Sequence, residues 1–182
     1  MASSSPVLDR ACALMKGAER PLIWAGGGAV RSGAGRLVAE LALRLAAPVI
    51  TTYLGRGLVP PEHPCAVPGP IHARAVGALW DEADLVLAIG TDFDGMMTQN
   101  WLMPQPRRLI SVNVDEQDAN KNYVSDVTLV GDARAVLEQL LPVTEAREGL
   151  PDLERRLAAI AASVAASVRD DDEQGLPDPV SL

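Results

Sequence analysis

Aromatic side chains are scarce: the 182-residue chain holds 3 Trp, 2 Tyr and 1 Phe. So few rings cannot build a platform for stacked nucleic-acid bases. Basic residues are outnumbered, 16 Lys and Arg against 24 Asp and Glu, for a formal charge of −8. A nucleic-acid partner needs a basic face to replace phosphate counterions, so none is expected. Two histidines, His63 and His72, and two cysteines, Cys12 and Cys65, are too few and too scattered for a structural zinc site. The cysteines are open to two readings, a disulfide or a pair of small buried hydrophobes. No apolar run approaches the roughly 18 residues of a membrane span, and no signal peptide is recognisable. No membrane partner is expected, and the chain reads as cytoplasmic, with Met1 to Ser5 as linker. The motifs GxSxG, GxxxxGKS or GxxxxGKT, and HExxH are also missing, so the common hydrolase and NTPase mechanisms have no support.

What is present is a globular balance, 48% hydrophobic and 22% charged, in a length that suits one domain. Short apolar runs alternate with helical spacing. Leu22-Ile-Trp-Ala25 is continuously apolar, as a strand buried on both faces requires, and runs into Gly26-Gly27-Gly28. From Ser32, a plausible N-cap, to Ala46 the period becomes helical through Leu37, Leu41 and Leu45. Strands are predicted again at 48–52, 84–89, 108–114 and 126–130, with a short one near 65–67, and helices over 71–83 and 133–141. Such alternation predicts a parallel sheet with helices on both faces. Each strand ends in Gly, Thr, Asp or Asn, and in open parallel sheets those carboxyl-end loops form the ligand crevice. Leu150, Leu153, Leu157, Ile160, Val164 and Val168 give an amphipathic helix over about 150–169, followed by an acidic, Pro-rich linker. Most of the acidic excess falls in residues 142–182 and not on the strand-rich part.

Two readings stand for Gly26-Gly27-Gly28: a tight strand-to-helix turn under close packing, or bare N–H groups turned to a phosphate. The position where a nicotinamide dehydrogenase carries a ribose-binding acid holds Thr51-Thr52-Tyr53, which speaks against that class. His63, in Pro-Glu-His-Pro, is expected to hold a turn. His72 is expected at a helix start, as a cap or a ligand contact. Asp92 and Asp94 flank Phe93; such loop acids commonly cap backbone N–H groups, and paired carboxylates also serve acid–base work.

Taken in order, Arg20-Pro-Leu-Ile-Trp-Ala-Gly-Gly-Gly-Ala29, Leu45-Ala-Ala-Pro-Val-Ile-Thr-Thr52, Pro61-Glu-His-Pro64, Ala83-Asp-Leu-Val-Leu-Ala-Ile-Gly90, Val112-Asn-Val-Asp115, Lys121-Asn122 and Val130-Gly-Asp-Ala133 form a specific set. Over residues 8–142 the chain resembles the central domain of thiamine-diphosphate enzymes of the acetolactate synthase, benzoylformate decarboxylase and oxalyl-CoA decarboxylase type. The resemblance implies a Rossmann-like three-layer α/β/α fold of the NAD/FAD-binding type, with a six-stranded parallel sheet ordered 3-2-1-4-5-6. It implies a boundary near 142, with 143–182 leading toward a third domain. It also implies that thiamine diphosphate and Mg²⁺ belong to neighbouring domains of the same polypeptide, that the parent lyase or transferase is a homodimer or homotetramer, and that this chain alone carries no catalytic or metal-binding residue.

By the same resemblance, FAD or ADP would lie along Gly26, Gly27, Gly28, Thr52, Leu54, Gly55, Gly69, His72, Gly90, Thr91, Asp92, Phe93, Asn113, Asp115, Gly131 and Asp132. In simple 2-oxo acid decarboxylases the crevice holds no nucleotide. Flavin-binding relatives read Gly-x-Arg-Phe-Asp-Asp-Arg after the strand that ends at Gly90. Here Gly90-Thr-Asp-Phe-Asp-Gly-Met96 lacks both arginines, and one of the two positions holds the carboxylate of Asp92, which would repel a diphosphate. Asn113 stands where an aspartate is common.

Overall fold

Pro21, Pro48, Asp84 and Asp126 stand at or just before the starts of four strands, and Gly26, Gly90 and Gly131 just after the ends of three. β1 (Pro21–Ala25) and β3 (Leu85–Ile89) are buried along their whole length, as their unbroken apolar runs demand. The Asp84 carboxylate accepts from the backbone N–H groups of Glu19 and Arg20, at 2.6 and 2.9 Å, which ties the start of β3 to the start of β1. β2 (Val49–Thr51), β4 (Leu109–Asn113) and β5 (Val127–Val130) complete a parallel sheet ordered β2-β1-β3-β4-β5. The computed structural model describes residues 5–174.

The sheet has five strands, not six. At the outermost position the predicted strand near 65–67 is reduced to one bridge, Val49 beside Ala66. Two hydrogen bonds make it: Val49 N–H to the Cys65 carbonyl at 2.8 Å, and Val67 N–H to the Val49 carbonyl at 3.1 Å. Pro64 and Pro68 close off the segment on both sides, and neither can donate to a ladder.

Helices flank the sheet. α1 (Pro6–Gly17), which the sequence pattern did not predict, buries Ala11 and Met15. The expected helix from Ser32 starts later, as α3 (Gly35–Leu45) after Gly33 at φ +66°, and an unpredicted short helix, α2 (Gly27–Arg31), precedes it with Ser32 as its C-cap. Ser32 therefore closes one helix instead of opening the next, its hydroxyl donating to the Ala29 carbonyl at 3.0 Å. α4 (Arg74–Glu82), α5 (Glu116–Asn120) and α6 (Ala133–Leu140) follow. α7 (Leu150–Gln174) runs past the expected end near 169, because nothing before Pro177 forbids helix. The remainder of the predicted linker lies outside the described residues.

α7 is docked against the body. Leu153, Leu157 and Ile160 are buried, each worth about 1.5–3 kcal/mol of apolar burial. Arg156 on α7 pairs with Glu82 on α4 at 2.9 Å. Four of the scarce aromatics, Trp24, Trp80, Phe93 and Tyr123, meet in one buried cluster with centroids 5.1–5.9 Å apart, edge to face except for the tilted Trp24–Phe93 pair. That cluster underlies the loop that follows β3. Both cysteines are free thiols: Cys65 is buried and Cys12 half-buried, as the small-hydrophobe reading expects.

Candidate functional site

The strand order reverses between β1 and β3, since the chain leaves β1 for β2 on one side and returns to β3 on the other. At such a switch point the loops diverge and leave a crevice beyond the carboxyl ends of the strands. Here it is a cleft of about 450 Å³.

Ten of the sixteen predicted positions line it: Gly27, Gly28, Thr52, Leu54, Gly90, Thr91, Asp92, Asn113, Gly131 and Asp132. Gly69 and His72 line a neighbouring hollow of about 250 Å³ instead, and Tyr53 belongs to both walls. Gly26 and Gly55 lie behind the surface. A Cβ on Gly26 would meet the Gly90 carbonyl oxygen at 2.4 Å, and one on Gly55 the Ala25 carbonyl oxygen at the same distance. Phe93 turns inward to the aromatic cluster and is 2% exposed. Asp115 caps α5, accepting from Gln117 N–H at 2.7 Å and Asp118 N–H at 3.4 Å.

The triple glycine is largely spent on packing. Gly26 N–H donates to Ile89, Gly28 N–H to Gly90, and Ala29 N–H back to Gly26, at 2.9–3.1 Å. Gly27 and Gly28 line the cleft, Gly27 under Leu54.

The loop after β3 is stiff. Asn113 Nδ2 donates to the Thr91 carbonyl at 3.1 Å while its Oδ1 accepts from Asp115 N–H at 3.2 Å. An aspartate at 113 has no donor for the first of these bonds, which accounts for the amide here. Asn122 Nδ2 donates to the Asp92 and Phe93 carbonyls at 2.7 and 3.2 Å. These contacts, and the bond from Phe93 N–H to Thr91 Oγ1 at 3.1 Å, hold Phe93 at φ +55°. Asp94 accepts from Met97 N–H at 3.1 Å, the backbone-capping role expected of loop acids. His63 likewise holds its turn, Nδ1 accepting from Cys65 N–H at 3.2 Å.

Electrostatically the cleft is acidic. Among the described residues, Asp92, Asp94, Asp118 and Asp132 line it against one cation, Arg31. Asp132 is committed to capping α6 through Arg134 and Ala135 N–H. Asp92 has Lys121 Nζ at 3.9 Å, with side chains 45% and 59% exposed, so the pair is loose and well screened. Arg31 makes no ion pair or side-chain hydrogen bond among the described residues. Arg31, Met96 and Asp118 were not foreseen. Arg31 was hidden because the short helix α2 that carries it lies ahead of the helix predicted from Ser32. Asp118 was hidden because α5 is only five residues long, though Asp115 three residues earlier is a cap signal. Among the described residues no group of three or more His, Cys, Asp or Glu is placed to hold a metal ion. No helix among them is long and apolar enough to cross a membrane.

Residues 8–140 match the family described as the thiamine pyrophosphate enzyme, central domain. The chain belongs to that family. Its relatives include a probable 2-ketoarginine decarboxylase of Pseudomonas aeruginosa, 38% identical over 175 residues, which cover 90% of this chain and 29% of that protein. A probable acetolactate synthase large subunit of Methanocaldococcus jannaschii is 34% identical over 145 residues, 78% of this chain and 24% of the relative. An acetolactate synthase of Mycobacterium avium is 33% identical over 141 residues, 76% and 22% respectively. The chain spans less than a third of the length of these relatives.

Proposed function

We propose that this chain is the spacer and scaffold of a thiamine-diphosphate-dependent lyase or transferase acting on 2-oxo acids, and that its cleft takes an adenine nucleotide, FAD or ADP. In this reading residues up to about 142 form the family core. α7 braces it and leads toward a catalytic domain, and the chain turns over no substrate alone. Thiamine diphosphate and Mg²⁺ are held by neighbouring domains, in a parent that is a homodimer or homotetramer. The single observation that carries the nucleotide reading is the cleft at the β1–β3 switch point, with Arg31 on its wall and no ion-pair partner for it among the described residues. Carboxylates at its rim suit ribose hydroxyls, which they accept as acceptor-only groups.

The test is a thermal-shift and calorimetric comparison of FAD, ADP and adenosine with the purified chain. A saturable rise in melting temperature with FAD or ADP is the expected result. A flat response to all three favours a second reading, a scaffold with no nucleotide, which the four carboxylates around one arginine support. Product formation from pyruvate by this chain with added thiamine diphosphate and Mg²⁺ would overturn both.

A further inference from the structure

Charge is sorted along the carboxyl ends of the strands. The four carboxylates of the cleft all follow β3, β4 or β5: Asp92 and Asp94 after β3, Asp118 in α5, and Asp132 just before α6. Lys121, on that acidic side, lies against Asp92 at 3.9 Å. The basic side chains that line the two spaces follow β1 and β2. Arg31 ends α2 on the cleft wall, and Arg56 stands after β2 in the neighbouring hollow of about 250 Å³. His72 lines that hollow as well, together with Thr51 and Tyr53. In a chain of formal charge −8, no carboxylate is among its described lining residues.

Tyr53 is common to the walls of the cleft and the hollow. The guanidinium carbon of Arg56 lies 5.4 Å from the centroid of the Tyr53 ring, which puts the charge at the partition between the two spaces. Stacking of this kind uses the face of the guanidinium and leaves its N–H edge for an acceptor. None of the ion pairs among the described residues involves Arg56. Tyr53, Arg56 and His72 are all exposed, so a ligand in solution reaches them. The imidazole of His72 carries an N–H donor in either charge state, and the hydroxyls of Thr51 and Tyr53 also donate. The hollow is therefore furnished with donors and lacks a competing anion.

We propose that this hollow is the subsite for the terminal phosphate of a nucleoside diphosphate, and that Arg56 makes the chain prefer ADP to both AMP and FAD. The inference rests on the nucleotide reading and deepens it. A nucleotide has a hydroxyl-bearing end and an anionic end, and the sorted charges orient it. The ribose lies over the carboxylates beyond β3 to β5, where its hydroxyls donate. The first phosphate meets Arg31, and the terminal phosphate passes Tyr53 to meet Arg56 and His72. A terminal phosphate carries about −2 at pH 7, and its oxygens match the paired N–H groups of a guanidinium. AMP ends one phosphate short of Arg56. In FAD the second phosphate is a diester, with its second ionisable oxygen lost and a bulky group in its place.

The test is calorimetric titration of the 182-residue chain, Arg56→Gln and Arg56→Lys with ADP, AMP and FAD, alongside amide resonances recorded with inorganic pyrophosphate. The unmodified chain should bind ADP about tenfold more tightly than AMP, the scale of one charge-assisted bond, and FAD more weakly than ADP. Arg56→Gln should bring ADP down to the AMP level and leave AMP unchanged, with Arg56→Lys between. Pyrophosphate should shift the resonances of Thr51–Arg56 and Gly69–His72 in the unmodified chain and not in Arg56→Gln. Arg56 is exposed, and the circular dichroism of the unliganded variants checks that the fold is kept. ADP binding that ignores Arg56, or equal affinities for ADP and AMP, overturns the subsite and leaves the nucleotide reading standing. Pyrophosphate binding that depends on Arg56, with no response to any nucleotide, keeps the phosphate subsite and sinks the nucleotide reading. No response to pyrophosphate or to any nucleotide overturns both.

Discussion

Gly28 donates its backbone N–H to the carbonyl of Gly90 at 2.9 Å, and a Cβ on Gly28 would lie 2.7 Å from the Cα of Gly90. This contact sets how closely the β1–α2 turn approaches the end of β3, and so where the cleft opens. Gly90 is also at φ +62°, a region that costs an L side chain about 1–2 kcal/mol. Gly28→Ala and Gly90→Ala should each lose about 3 kcal/mol or more of stability in urea denaturation, since the obstruction is backbone and cannot swing aside. Gly17→Ala, at the end of α1 with nothing within 4 Å of the added carbon, is the control and should be neutral or slightly stabilising. Equal effects at 17, 28 and 90 would mean that the close approach is not real.

Within the nucleotide reading, Arg31 and Asp92 should act in opposite directions. Arg31→Gln removes the one cation lining the cleft, and ADP affinity should fall about tenfold while adenosine affinity holds. Asp92→Asn should strengthen ADP binding by about threefold, with the gain shrinking as salt is raised, because both groups face solvent. Isothermal titration at two ionic strengths separates these outcomes. An Arg31→Gln chain that weakens ADP and adenosine alike would assign the residue a structural role.

Much of this architecture was legible because buried parallel strands leave few options. Five short apolar-rich runs, each followed by Gly, Thr, Asn or Asp, are β1 to β5, those of β1 and β3 being unbroken, and the cleft lies beyond the ends predicted for them. Ten of sixteen expected cleft positions line it. The misses have physical causes. α1 is stabilised by packing Ala11 and Met15 and not by a strong apolar stripe. The sixth strand shrank to a bridge because prolines bracket it. The segment after Asp94 was unreadable: Gln99, Asn100 and Trp101 all sit at φ +54 to +60°, against their own preference. Trp101 Nε1–H bonded to the Phe93 carbonyl at 2.8 Å, and its N–H bonded to Thr98 Oγ1 at 3.2 Å, hold that turn. Such tertiary contacts leave no periodic trace in sequence.

The Cys65 thiol is pushed up to about 11, first by burial and then by Glu154 of α7. At pH 8 its thiolate is about a thousandth of the total, and it is fully covered. In native protein Cys65 should resist a disulfide reagent and label only as the chain unfolds. Leu157→Ala, which loosens α7 by about 2–4 kcal/mol, should speed Cys65 labelling with little effect on Cys12. Mass spectrometry of each tryptic peptide provides the readout. Rapid native labelling of Cys65 in the unmodified chain would show that α7 does not cover the sheet edge.

His63 provides a pH test of the same edge. Burial lowers its pKa below the ordinary value near 6.5. Neutral Nδ1 accepts the Cys65 N–H at 3.2 Å, while Nε2 is buried with no partner among the described residues. A proton on Nδ1 abolishes that acceptor. The unfolded chain therefore binds more protons than the folded one between the depressed pKa and 6.5, and stability must rise with pH across that window. Above it both states are neutral and the contribution is fully present. As pH falls through 6.5 it is progressively lost, and below the folded-state value no further loss occurs. His63→Asn, whose side-chain oxygen can still accept from Cys65 N–H but does not titrate, should flatten this part of the profile. The check is urea midpoints from pH 7.5 down to 5, compared between the two chains. Carboxylates contribute to both profiles alike, so their difference isolates the histidine. Parallel profiles would mean that His63 titrates as it does in the unfolded chain.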